Sequence, residues 1–130
     1  AEGVGIRHDI SVPVSRVPEF LRRADAAMVE AVPGCRPLGF GHVGDGNIHY
    51  GVMQPLDADV DAFLAETERV NRIVYDIVTG LDGSISAEHG IGQYKRAALP
   101  HYKSALELDL MARLKSAIDP DGIMNPEKVL

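Results

Sequence analysis

Two short stretches concentrate the side chains that can do chemistry. The first, Gly41-His42-Val43-Gly44-Asp45-Gly46-Asn47-Ile48-His49, sets two imidazoles on either side of an Asp-Gly pair. Asp-Gly between apolar runs is a hairpin signal, because a type I′ turn needs positive φ at both central residues. With Asp45-Gly46 as a two-residue turn, Gly44 faces Asn47, Val43 faces Ile48 and His42 faces His49. Directly opposed residues of an antiparallel pair point to one side, with Cβ atoms about 4.5 to 5.5 Å apart. Imidazoles so placed can share a metal ion at about 2.0 to 2.1 Å per bond. On a helix the same spacing would part them by about 10.5 Å. The hairpin also suits two histidines that merely pack.

The second stretch, Ser84-Ile85-Ser86-Ala87-Glu88-His89-Gly90-Ile91-Gly92, brings a carboxylate and an imidazole to the exit of a short strand. Neighbours on extended backbone point in opposite directions, so Glu88 and His89 are not expected to ligate one ion. One can be a ligand while the other faces a substrate. Gly90 and Gly92 clear space where a ligand or another backbone could approach. Taken alone, Glu-His before Gly-x-Gly is equally an ordinary solvated turn. Together the stretches supply two histidines, one carboxylate and a spare histidine, the inventory of an open metal site with a base beside it.

Other candidates carry less. Asp57-Ala58-Asp59-Val60-Asp61 mimics a calcium loop, but its sixth position is Ala62 where glycine is required, and a solvated acidic helix start is the simpler reading. Gly44-Asp45-Gly46 lacks the third glycine of a dinucleotide fingerprint, and the chain has no P-loop. Cys35 reads as a small packing residue, His101 as an exposed helix-start residue, and His8 as a solvated or supporting residue on its strand.

Positioning these stretches falls to a small set of elements. Residues 5–14 alternate apolar Ile6, Ile10, Val12 and Val14 with polar neighbours, the period of a strand with one buried face. Val17, Phe20, Leu21, Ala24, Met28 and Val32 recur at helical spacing until Pro33-Gly34. Two short apolar runs, 37–43 and 48–53, flank the hairpin turn. Pro55-Leu56-Asp57 opens a long helix whose stripe runs unbroken from Val60 to Val78 and ends at Gly80. A short strand at 84–86 follows. Pro100 starts a last helix bearing Leu106, Leu110, Met111, Leu114, Ala117 and Ile118, ended by Asp119-Pro120. Strand, helix, strand, strand, helix, strand is the order of a ferredoxin-like α+β domain, an antiparallel sheet covered by helices, here with an extra C-terminal helix.

Composition narrows the class. The 130 residues suit one domain, and 45% hydrophobic with 25% charged residues is globular usage. Thirteen Lys plus Arg against nineteen Asp plus Glu leave a net charge of -6, and with four Tyr, three Phe and no Trp the chain offers little to nucleic acid. A lone cysteine demands no oxidising compartment, and no apolar run reaches the roughly 18 residues of a membrane span. A cytoplasmic or membrane-peripheral location is expected. The chain opens on Ala1 rather than Met, so it is expected to come from something longer.

At these residues the chain resembles the C-terminal domain of FAD-linked oxidases that act on D-2-hydroxy acids: D-lactate, glycolate and D-2-hydroxyglutarate dehydrogenases. The stretches that carry the resemblance are Arg7-His8-Asp9-Ile10-Ser11-Val12-Pro13, Gly41 to His49, Gly83 to Gly92, and Asn125-Pro126-Glu127-Lys128-Val129-Leu130. They span nearly the whole chain. The resemblance implies His42, His49 and Glu88 as ligands of a divalent metal, usually zinc. It implies His89 as the base beside the substrate, Arg7 as the cation for the substrate carboxylate, Asn47 as a substrate or turn residue, and Asn125 as a flavin contact. It departs at Gly51, where hydroxyglutarate-type members place asparagine, and at Glu127, which replaces a glycine and is expected to be harmless. The FAD-binding domain of such enzymes would lie before Arg7, so residues 1–130 read as the substrate and metal portion of a larger flavoenzyme. Its partners are then a small 2-hydroxy acid, an electron acceptor the sequence does not name, and a second copy in a homodimer.

Two other classes fit the same residues. A metal-dependent hydrolase complete in this chain would use His89 to activate water and turn over without flavin. A noncatalytic module would use a metal only to staple the hairpin.

Overall fold

The computed structural model describes residues 3–130, in two compact units that divide between Glu88 and His89. In the first unit the alternating run forms β1 (Gly5–Ser11), and the helical stripe forms α1 (Val17–Ala31). The runs around the turn form β2 (Arg36–His42) and β3 (Asn47–Met53). All pairing is antiparallel in the order β1-β3-β2, with Asp9 opposite His49 on one side and Phe40 opposite His49 on the other. Ser84 adds a single bridge to Ser11 at the outer edge of β1, where the ferredoxin-like order has its fourth strand. The short strand read at 84–86 is therefore one residue pair. The fold is α+β, with one face of the antiparallel sheet covered by helices.

That face carries Ile6, His8, Ile10, Ile48, Tyr50 and Val52, all buried. Against them lie Phe20, Ala24 and Met28 of α1 and Val70, Val74 and Val78 of a later helix. Strand parity puts His8 on this side, since it shares the alternation of Ile6 and Ile10. The solvated or supporting role read for His8 is thus corrected: it is 2% exposed, its Nδ1 lies 3.0 Å from the Tyr50 carbonyl, and its ring meets Tyr75 edge-on. Tyr50 donates to Asp25 at 2.9 Å, and burial, with Asp25 beside it, pushes the phenol far above its ordinary pKa. Burial likewise pushes the Cys35 thiol up, in keeping with a packing residue.

The long helix is interrupted. It forms α2 (Val60–Ala65) and α3 (Thr67–Thr79), parted at Glu66, where the Thr67 hydroxyl donates to the Leu64 carbonyl at 2.6 Å. A threonine hydroxyl that competes for backbone carbonyls is a known helix bender. Asp59 caps α2 by accepting from the Ala62 N–H, the acidic helix start in place of a calcium loop. Gly83 then passes so close to β1 that a Cβ there would lie 2.3 Å from the Ser11 carbonyl oxygen. Only glycine fits this approach.

In the second unit the last helix is also divided, into α4 (Leu99–Tyr102) and α5 (Ala105–Ile118). Lys103 is extended, and Ser104 with Glu107 forms a capping box that starts α5 afresh. No helix among the described residues is long and apolar enough to cross a membrane.

Candidate functional site

The sheet face opposite the helices carries the other parity: Arg7, Asp9 and Ser11 from β1, Leu38, Phe40 and His42 from β2, Asn47 and His49 from β3. The turn joining β2 to β3 is longer than the two residues expected. Val43–Asp45 forms a 3₁₀ turn, Gly46 closes it at φ +80°, and Asp45 Oδ1 accepts from the Asn47 N–H at 3.1 Å. A Cβ on Gly46 would meet the Val12 carbonyl oxygen at 2.0 Å, so the connection depends on glycine. His42 therefore pairs with Asn47, and Phe40 with His49, which corrects the expected opposition of His42 and His49. The partner of His49 has slipped by two residues, and a two-residue slip preserves facing. The two imidazoles remain on one face as diagonal neighbours, ring centroids 6.3 Å apart.

Glu88 lies between them. Its Oε1 is 2.9 Å from His49 Nε2 and its Oε2 is 3.9 Å from His42 Nδ1. Asp9 adds a second carboxylate, with Oδ1 3.9 Å from His49 Nδ1. Asp9, His49 and Glu88 each offer a ligand atom within 4.8 Å of the others. Asn47 is buried, its Nδ2 lies 3.3 Å from His42 Nδ1, and no donor among the described residues reaches its Oδ1. His42 stands outside the group of Asp9, His49 and Glu88, its Nδ1 3.9 Å from Glu88 Oε2, yet His42, His49 and Glu88 offer the kinds of donor, imidazole nitrogen and carboxylate oxygen, that Zn²⁺ takes while keeping a position for water or substrate. The side chains present thus fit a divalent metal.

Glu88 is held by backbone. The segment 84–88 is tied to β1 by reciprocal hydrogen bonds between Ser11 and Ser84, at 3.0 and 2.8 Å. Asp9 then accepts from the Ser86 hydroxyl at 3.1 Å and from the N–H groups of Ala87 and Glu88 at 3.0 and 3.2 Å. Sequence reasoning missed Asp9, which alternates onto the polar side of its strand and is nonetheless 4% exposed because this segment covers it. The resemblance placed Asp9 between Arg7 and Ser11 in a quoted motif, the only signal available.

The remaining expected residues lie as follows. Arg7 is exposed on the same face, opposite Gly51. At Gly51 an added Cβ would meet only the Leu38 carbonyl oxygen at 3.7 Å, so packing does not enforce the departure from asparagine. Residues 87–89 form a bend, so the strand alternation expected to separate Glu88 from His89 does not operate there. His89 is exposed at the start of the second unit. Asn125 sits in the C-terminal turn at φ +46°, its carbonyl accepting from the Lys128 N–H. Glu127 adopts φ +60°, in the left-handed region that favours glycine.

A ferredoxin-like sheet with an imidazole and carboxylate cluster on its open face defines the class. Residues 1–129 match the family model for FAD linked oxidases, C-terminal domain, and the chain belongs to that family. It is 43% identical over 123 residues to a D-2-hydroxyglutarate dehydrogenase of Stutzerimonas stutzeri, covering 95% of this chain and 26% of that protein. It is 37% identical to the mitochondrial D-2-hydroxyglutarate dehydrogenase of Danio rerio, covering 99% of this chain and 23% of the relative. It is 39% identical to a probable mitochondrial D-lactate dehydrogenase of the same fish, covering 94% and 24%. The chain spans about a quarter of the length of these relatives.

Proposed function

We propose that this chain is the substrate- and metal-binding portion of a flavoenzyme that oxidises a D-2-hydroxy acid to the 2-oxo acid, with D-2-hydroxyglutarate the first substrate to test. The observation that carries the reading is Glu88 set between His42 and His49 on the open sheet face, in a chain similar to dehydrogenases so named. His42, His49 and Glu88 would hold a divalent metal, zinc by the donor set, which supplies Lewis acidity toward the substrate's hydroxyl and carboxylate oxygens. Arg7 would pair with a substrate carboxylate, and Asn47 Oδ1 would accept from a substrate O–H. His89 would take the hydroxyl proton as hydride leaves Cα. The family's FAD supplies the hydride acceptor when bound. This chain has no phosphate-binding loop for a dinucleotide, so FAD would be held mainly outside it, with Asn125 the contact from this side.

Elemental analysis of wild type, His42→Ala and His49→Ala tests the metal site, and equal metal in all three would refute it. In the flavin-loaded enzyme, His89→Ala should keep its metal and lower kcat by roughly 10² to 10⁴-fold, the contribution of a positioned base. Loss of metal from His89→Ala as complete as from His49→Ala would make His89 a ligand instead.

A further inference from the structure

We infer that Asp9 is the positioning residue that aims Glu88 at the two histidines, and that it does so by gripping the backbone of residues 86–88 rather than by touching the metal. The inference rests on the metal reading above. A buried carboxylate is costly unless its oxygens are satisfied. Asp9 meets that cost with donors from consecutive positions of one segment: the Ser86 hydroxyl, the Ala87 N–H and the Glu88 N–H. Oδ2 takes all three, and Oδ1 shares the Glu88 N–H. Segment 84–88 has no strand or helix of its own beyond the Ser11–Ser84 bridge, four residues before Glu88. Asp9 ties the residues that lead into Glu88, and the Glu88 N–H itself, to β1.

The ladder adds a second effect. Asp9 lies opposite His49 in the β1–β3 register, its Oδ1 3.9 Å from Nδ1, while His49 presents Nε2 to Glu88. The ring edge that faces Asp9 is thus the one turned away from Glu88. At 3.9 Å this is a charge contact and not a hydrogen bond, so the grip on residues 86–88 carries the positioning; outer partners that orient metal ligands typically carry 10- to 100-fold in metal affinity.

The test uses the 130-residue chain as wild type, Asp9→Asn, Ser86→Ala and the buried control Ile10→Val. Amide hydrogen exchange without metal reads the grip. In Asp9→Asn the Ala87 and Glu88 amides should exchange roughly tenfold faster, the loss of a hydrogen bond to a charged acceptor. Zn²⁺ titration reads the consequence: affinity should fall 10- to 100-fold in Asp9→Asn, with one ion still bound at saturation. Ser86→Ala, which deletes one donor and leaves the buried carboxylate in place, should move both readouts less and in the same direction. Ile10→Val should lower Tm and leave both unchanged, which separates positioning from general loss of stability. Unchanged exchange at residues 87 and 88 would overturn the inference, as would a Zn²⁺ affinity as insensitive as that of Ile10→Val. Loss of the ion at any concentration would overturn it too, by making Asp9 a ligand. If wild type takes up no Zn²⁺, the metal reading fails, and the exchange rates alone uphold or overturn the grip.

Discussion

Helices α3 and α5 are nearly equal in length, at 13 and 14 residues, yet they are stabilised by different means. α3 has no side-chain cap and buries Val70, Val74, Tyr75, Ile77 and Val78. α5 buries nothing among the described residues, and Leu106, Leu110, Leu114 and Ile118 are 50% exposed or more. In exchange it has a full capping box, and ion pairs Lys103–Glu107, Asp109–Arg113 and Lys115–Asp119 run along its flank. The first unit is ordered by tertiary burial, and the last helix by local chemistry. The cluster that could hold a metal belongs to the first kind of order, where a buried carboxylate can be fixed by the elements around it.

The sharpest way to break this comparison is truncation. Phe20, fully buried and edge-on to Tyr50, should cost about 3 to 5 kcal/mol on Phe20→Ala. Leu110→Ala on α5 should stay within about 0.5 kcal/mol. Denaturant unfolding of both variants against wild type makes the measurement. A cost for Leu110→Ala near that for Phe20→Ala would mean that α5 is buried in solution.

The same contrast explains what the sequence could yield. Alternation in residues 5–12 and helical spacing in 17–32 report burial directly, so β1, α1 and the sheet's two faces were readable. Where local chemistry decides, periodicity misled: the stripe from Val60 to Val78 continues across Glu66, and the helix read from Pro100 to Ile118 runs over the break at Lys103, which Ser104-x-x-Glu107 announces. His42 and His49 were picked out by type and spacing and Glu88 by its motif, but the register of the two histidines depended on Asp45 and on Gly46 against Val12, a contact between distant residues. Asp9 depended on coverage by a segment 77 residues away. Neither could be seen in a pattern of neighbours.

If α5 relies on its ends, then Ser104→Ala should cost the helix about 1 kcal/mol, more than any single exposed leucine on it. Acid should do the same. The Ser104 N–H, then Lys103 and the Ser104 hydroxyl, hold Glu107 down at about 2, below an ordinary value of 4.5. A carboxylate with a depressed folded pKa stabilises fully above its ordinary value and loses that contribution as pH falls toward the folded one. Asp119 is shifted the same way by the Lys115 ammonium, against its desolvation and with help from the Met124 and Ile123 N–H groups. Helicity followed by circular dichroism should therefore decline from about pH 4.5 to about pH 2. Glu107→Gln should already be weakened at neutral pH and should lose less over that range. An acid profile that Glu107→Gln leaves unchanged would place the sensitivity elsewhere.

The smallest effect is expected at the C-terminal turn, where local backbone acts against the structure. Glu127 holds φ +60° with its side chain exposed, so nothing in its packing offsets the left-handed conformation. That conformation costs a residue with a Cβ about 1 to 2 kcal/mol. Glycine removes the cost but brings a more flexible unfolded chain, worth about 0.4 to 1 kcal/mol in the other direction. Glu127→Gly should accordingly stabilise the turn by about 1 kcal/mol or less. The place to read it is the Val129 amide, which donates to the Gly92 carbonyl at 2.9 Å just beyond the turn. Its exchange should slow in Glu127→Gly and not in Glu127→Ala, which keeps the Cβ while deleting the carboxylate. Equal slowing in both variants would trace the effect to charge, and the strain at Glu127 would then carry no weight in holding the tail.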